Sequence, residues 1–267
     1  MNYKEYKKIQ YTNDRELAKK GGTNIDDWSN SPYTCLKTRF YIEGSSLLLH
    51  ALRKCNIHPS DITLLYAFCG IIVIPLLASN QETLIYIGLV ITFAKGIFDW
   101  ADGTLARTSD QTSNQGHILD SWGAYVNALG FRIGLALYIF NETENIIYLY
   151  VILLIAFFRG TNLKNYANSI MFEEGKSHNF EKNKKNDGDK LKKDYQSIIE
   201  NIKVSFFSII DDDRARSIDF ICLIVFFETN EFLFFTPIIL IFMGIQEFIK
   251  WLGYLYRIRF TNSYNDY

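Results

Sequence analysis

The chain has 267 residues, 28 Lys plus Arg against 29 Asp plus Glu, a formal net charge of -1 and 48% hydrophobic residues. Near-balanced charge gives no basic footprint for nucleic acid, so no nucleic-acid partner is expected. The mean hydropathy of -0.01 hides two populations. Lys, Asn, Asp and Glu crowd into residues 1–61 and 173–203, while the segments between are rich in Ile, Leu and Phe; such segregation predicts membrane spans joined by polar loops.

Residues 1–37 read as a polar cytoplasmic segment without the short apolar core and small-residue cleavage site of a signal peptide, so insertion is expected to begin at the first span. Ser45 to Lys54, S-S-L-L-L-H-A-L-R-K, suits an amphipathic helix lying on the cytoplasmic surface. Six apolar runs follow: Ile62 to Ser79, Leu84 to Trp100, Ile118 to Phe140, Ile146 to Phe158, Ser217 to Phe227 and Phe232 to Tyr254. The fold class is therefore an all-α membrane protein of about six transmembrane helices. The fourth and fifth runs fall below the ~20 residues of a full crossing, which tilt, polar ends or burial in a bundle must offset. Residues 173–203, including K-N-K-K-N-D-G-D-K-L-K-K-D, cannot bury a core and read as a charged cytoplasmic loop insert; 257–267 form a C-terminal tail.

The loops give an independent orientation. Asn80 to Thr83, Asn141 to Asn145 and Glu228 to Glu231 hold no Lys or Arg. The opposite side holds Lys37, Arg39, Arg53, Lys54, Arg107, the stretch Arg159 through Arg216, Lys250, Arg257 and Arg259. Alternation of this kind predicts both termini in the cytoplasm. Cys35, Cys55, Cys69 and Cys222 show no CxxC pairing and are expected to be unpaired thiols.

Between the second and third runs the chain reads D-W-A-D-G-T-L-A-R-T-S-D-Q-T-S-N-Q-G-H-I-L-D, from Asp99 to Asp120. Carboxylates at the edge of hydrocarbon are costly and mark a site. If the second span continues helically, Asp99 and Asp102 lie three residues apart with Gly103 and Ala106 one turn on. Gly116, Asp120, Ala124 and Asn127 form a second stripe on the next span. Three carboxylates without His or Cys favour a hard divalent ion, Mg²⁺ or Mn²⁺, and a metal-bound diphosphate suits such a groove. Arg107 is placed to contact phosphate or to anchor the cytoplasmic helix end.

The pattern D-x2-D-G-x2-A-R-x8-G-x3-D resembles the signature of the CDP-alcohol phosphotransferase (CDP-alcohol phosphatidyltransferase) family of integral membrane enzymes. Seven positions agree: Asp99, Asp102, Gly103, Ala106, Arg107, Gly116 and Asp120. At residue frequencies of about one in twenty, chance supplies this at on the order of one start position in a billion. Asn56 to Leu65, N-I-H-P-S-D-I-T-L-L, is a looser match to the family's lead into its first span, with Ser60 where Asn is usual. The resemblance extends over a membrane domain of roughly residues 38–256. It implies transfer of a phosphoryl-linked group, such as phosphatidyl, from a CDP-linked donor to an alcohol, with CMP released, in phospholipid or related phosphodiester synthesis. It further implies that Asp99, Asp102 and Asp120 bind a pair of divalent ions and that Gly103, Ala106, Arg107 and Gly116 shape the pocket for the CDP moiety.

One position departs. The family motif ends on a fourth aspartate, implicated in metal binding and as the base for the acceptor hydroxyl, where this chain has Ala124. Positioned bases contribute ~10²–10⁴-fold, so the expectations are an enzyme with a substitute base such as His117, a slow enzyme, or an impaired relative that binds nucleotide or lipid. Other polar residues in the runs carry two readings each: Lys95 as a structural partner of Asp99 or as charge balance at the site, and Arg132 as a substrate contact or a helix–helix pair. Arg159, Arg214 and Arg216 fit positive-inside anchors, Asp211 to Asp213 a solvated cap, and Gly130 with Gly134 either packing between spans or a homodimer contact.

Overall fold

The computed structural model describes residues 1–20, 26, 32–162, 229 and 231–260, and is helical throughout apart from the connections. Among the described residues the helices are α1 Tyr3–Lys20, α2 Pro32–Leu52, α3 Pro59–Leu77, α4 Glu82–Thr108, α5 Asn114–Thr143, α6 Ile147–Gly160 and α7 Phe232–Phe260. Four of these, α3, α4, α5 and α7, are long and apolar enough to cross a membrane. The molecule is an integral, multi-pass membrane protein. Its fourth expected span is α6, a 14-residue apolar helix. The expected span over 217–227, the insert 173–203, Asp211 to Asp213, Arg214 and Arg216 lie outside the described residues.

Two compact units divide the chain between Phe131 and Arg132, inside α5. In the first, α3 buries Thr63, Tyr66, Ala67 and Gly70 along with Ile62, Val73 and Leu77, while Leu64, Leu65, Phe68, Ile71 and Ile72 face outward. A lipid surround permits that outer face, because large apolar groups lose nothing in hydrocarbon, and backbones pack closest at small residues. At Gly70 the α3 backbone meets α5 directly. A Cβ there would strike Asn127 Cα, and one on Gly130 would strike the Gly70 carbonyl oxygen. Gly130 thus serves packing between spans. The Asn127 amide donates to Tyr66 O at 2.9 Å across the same crossing.

Helix α3 begins inside the Asn56 to Leu65 lead, with His58 as N-cap, Pro59 in the first turn and the Asp61 side chain accepting from the His58 backbone N–H at 3.0 Å. The short connections after α3, α4 and α5 each carry one non-glycine residue with positive φ: Asn80, Asp110 and Glu144. Asn and Asp tolerate that conformation best.

The N-terminal region is more structured than its polarity suggests. The amphipathic helix expected at 45–54 starts earlier, at Pro32, and buries Tyr41, Ile42, Ser45 and Leu49 on one face. Gly96 of α4 leaves room for the Tyr41 ring, whose hydroxyl donates to Phe93 O at 3.3 Å. Helix α1 has too little apolar content to be read as a span, yet Tyr3 and Lys7 both engage Glu43 of α2, and Ser45 Oγ donates to Gln10 Oε1 at 2.7 Å. Those contacts hold Glu43 below the usual carboxylate range: desolvation pushes it up, but the Lys7 and Tyr3 hydrogen bonds outweigh it.

In the second unit, Arg132 of α5 and Arg159 of α6 converge on Glu247 of α7, with Nη1 atoms 3.0 and 2.7 Å from Oε1. Arg132 is therefore a helix–helix pair. A lone cation or anion at this depth would be costly, whereas the clasp ties three helices through one carboxylate.

Candidate functional site

Each carboxylate of the motif is positioned by a different donor of the first unit. On α4, Asp99 sits one turn after Lys95, whose Nζ lies 2.8 Å from Asp99 Oδ1. Asp102, 5% exposed, accepts from Thr63 Oγ1 of α3 at 2.5 Å through Oδ2 and from the Gly103 N–H at 2.5 Å through Oδ1. On α5, Asp120 Oδ1 accepts from the Tyr66 hydroxyl at 2.6 Å, and the same hydroxyl lies 2.9 Å from Asp120 O. Gly123, one turn beyond, leaves space for the Tyr66 ring: a Cβ there would stand 2.9 Å from Tyr66 Cε2.

The network closes on itself. Lys95 Nζ also lies 4.9 Å from the centre of the Tyr66 ring, so one buried cation touches Asp99 directly and Asp120 through the aromatic that holds it. Asp99, Asp102 and Asp120 act on one another electrostatically. Among the described residues no three His, Cys, Asp or Glu side chains form a ready metal cage; each motif carboxylate is engaged by its own protein donor instead.

The residues expected to shape the pocket for CDP divide. Gly116 lines an open cavity of ≈ 520 Å³ between the starts of α3 and α5, with His58, Ser60, Gln111 and Ser113 among its walls. Its N–H caps onto Ser113 Oγ at 3.0 Å. Gly103, Ala106 and Arg107 do not line that cavity. The Arg107 guanidinium folds back along α4, 3.4 Å from Thr104 Oγ1 and over Gly103, where a Cβ would lie 3.3 Å from Nη1. Ala124 is half-buried on α5, and His117 is exposed. Thr63 stood in the quoted lead without a role, and Tyr66 went unremarked in the sequence. Their signal was a polar pair at spacing three, followed by Gly70 four later, inside an otherwise apolar span.

The family model of CDP-alcohol phosphatidyltransferase matches residues 56–178. Over that stretch, a little under half of its length, the chain is similar to that family. The matched stretch contains α3, α4, α5 and α6, and with them every motif residue. No curated protein and no solved structure matches the chain. CDP-alcohol phosphatidyltransferases are CDP-alcohol phosphotransferases acting on a CDP-linked donor and an alcohol, and typically use a divalent metal. The donor set fits such an ion, since Asp99, Asp102 and Asp120 offer only oxygen and lie on two neighbouring segments of one network.

Proposed function

We propose that the chain is a membrane phosphotransferase that moves a phosphoryl-linked group, such as phosphatidyl, from a CDP-linked donor to an alcohol acceptor and releases CMP. The observation that carries this reading is the joint placement of Asp99, Asp102 and Asp120 by Lys95, Thr63 and Tyr66 within the matched stretch. In this reading Asp99, Asp102 and Asp120 hold Mg²⁺ or Mn²⁺, which when bound neutralises diphosphate charge and stabilises the leaving phosphate. Gly103, Ala106, Arg107 and Gly116 bound the space for CDP, with Gly116 on the wall of the open cavity.

The acceptor hydroxyl oxygen attacks the phosphorus of the transferred group. The bond from that phosphorus to the bridging oxygen breaks, and CMP leaves with the electron pair. Tyr66 and Thr63 keep Asp120 and Asp102 in fixed orientation during this exchange, limiting reorganisation as charge moves. Ala124 offers no base, so the hydroxyl proton passes to solvent at the exposed start of α5. Segregation of Lys and Arg supports a site and termini on the cytoplasmic face.

Ala124 favours a second reading, a catalytically impaired relative that binds nucleotide or lipid. One experiment separates the two: purified full-length protein with Mg²⁺, a panel of CDP-linked donors and alcohols, and CMP release as readout. CMP release that needs both donor and acceptor supports the enzyme. Metal-dependent donor binding with no CMP from wild type or Ala124→Asp would support the binding protein. In a slow enzyme lacking only its base, Ala124→Asp raises CMP release by up to ~10²–10⁴-fold.

A further inference from the structure

We propose that the N-terminal helix α1 braces the site, with Tyr6 a positioning residue that holds the Thr63–Asp102 pair through the helix faces beside it. This rests on the reading of Asp102 as a metal ligand and deepens it.

Four helices meet at one buried cluster, each supplying one residue: Tyr6 of α1, Leu49 of α2, Ile62 of α3 and Ala101 of α4. Two of the four are chain neighbours of the bonded pair, since Ile62 precedes Thr63 and Ala101 precedes Asp102. Phe98 and Leu105 also pack against the cluster, three residues before Ala101 and four after it, so one whole face of α4 rests there. Successive helix residues are turned by about 100°, which puts that face next to the one carrying Asp99 and Asp102. Whatever fixes it fixes the angle at which Asp102 meets Thr63.

The register of α1 is pinned on both sides of Tyr6. Tyr3, three residues earlier, and Lys7, directly after, engage Glu43 of α2. Gln10, buried one turn on, accepts from Ser45 Oγ at 2.7 Å. Helix α2 is seated on α4 in turn, by the Tyr41 ring in the space left at Gly96. A helix as polar as α1 thus carries a tyrosine only 6% exposed into a cluster with residues of two spans. Removing the ring opens a cavity beside the pair. The Thr63 hydroxyl bond depends on angle as well as distance, so α3 and α4 settling into that space would slacken it.

A double-mutant cycle tests this on full-length protein in detergent: wild type, Tyr6→Ala, Thr63→Val and the double variant, read by thermal unfolding without metal or nucleotide. If Tyr6 holds the pair, Thr63→Val has less to remove in the Tyr6→Ala background. The double variant's fall in Tm is then smaller than the sum of the single falls by at least about 2 °C. The second readout is Mn²⁺ affinity by electron paramagnetic resonance of free Mn²⁺, expected to weaken at least about threefold in Tyr6→Ala and to match wild type in Tyr6→Phe, which keeps the ring. A tyrosine serving only the fold would lower Tm, add to Thr63→Val and leave the affinity of the folded protein alone. Additive falls in Tm, or an affinity unchanged by Tyr6→Ala where wild type binds Mn²⁺, therefore overturn the proposal. Should Tyr6→Ala fail to fold, Tyr6→Leu takes its place in the cycle. The two readings stay separable: a wild type that binds no Mn²⁺ while the falls in Tm are non-additive sinks the functional reading and leaves the α1 brace standing.

Discussion

Gly130→Ala probes the packing on which the site depends, and its cost follows from the crossing itself. The added Cβ would overlap the Gly70 carbonyl oxygen, a backbone atom that cannot rotate away. Relief requires α3 and α5 to move apart. Overpacking of this kind costs typically ~1–3 kcal/mol. Separation also stretches the buried Asn127–Tyr66 hydrogen bond, 2.9 Å long, which adds about 1 kcal/mol. The sum of about 2–4 kcal/mol corresponds to a fall in Tm of roughly 4–16 °C at 2–4 °C per kcal/mol. Thermal unfolding followed by size-exclusion chromatography in detergent measures it, with Gly160→Ala as control because no atom lies within 4 Å of its added Cβ. The same displacement moves Tyr66 from Asp120, so Mn²⁺ affinity falls alongside stability. A Gly130→Ala protein as stable as wild type, with unchanged Mn²⁺ affinity, would refute the close crossing and its link to the site.

Glu247→Gln leaves Arg132 and Arg159 without their shared carboxylate at a mostly buried position. A loss of ~3–5 kcal/mol is expected, read as aggregation or a large drop in Tm; an unchanged melting profile would show that the clasp contributes little. For the α1–α2 clasp, Glu43 is held below its usual range, so its contribution is present above the unfolded value and is lost as pH falls through the folded one. Amide protection factors across residues 3–20, with the intrinsic pH dependence of exchange divided out, should fall once pH drops below about 4 and stay flat from there to neutrality; protection unchanged in acid contradicts the clasp. Orientation is tested at Cys55, an exposed thiol after α2. Membrane-impermeant maleimide should modify it only after permeabilisation, with Cys55→Ser as blank, and labelling of sealed cells reverses the topology.

The motif and the principal spans were legible because each rests on strong local signals: apolar runs of crossing length, and seven residue types in fixed register. What the residues did not disclose lies in partnerships between distant segments. Thr63 and Tyr66 are common residue types in an apolar run, and only the packing of α3 against α4 and α5 reveals that they hold Asp102 and Asp120. Glu247 carried the general warning attached to any acid in a span, but its partners stand 88 and 115 positions earlier, at Arg159 and Arg132. Helix α1 was hidden by polarity, since its anchoring comes from hydrogen bonds and an ion pair to α2 more than from an apolar stripe. The ambiguity over Lys95 was of another kind: spacing four already placed it beside Asp99, whereas the Tyr66 ring that completes its setting belongs to another helix.

The Ser113 cap gives the motif's two gaps different meanings. From Arg107 to Gly116 the chain leaves α4, reverses through Asp110 with the Gln111 N–H closing onto Ala106 O at 2.9 Å, and re-enters a helix at Ser113. That interval is a tether, and an added residue would lengthen the bend. From Gly116 to Asp120 the chain is already wound, its phase locked by the cap, so one added residue would swing Asp120 by about 100° away from Tyr66. The first gap behaves as a measure of reach and the second as an angular setting. Natural length variants of such a chain should therefore tolerate change in the bend and reject it in the single turn between glycine and aspartate.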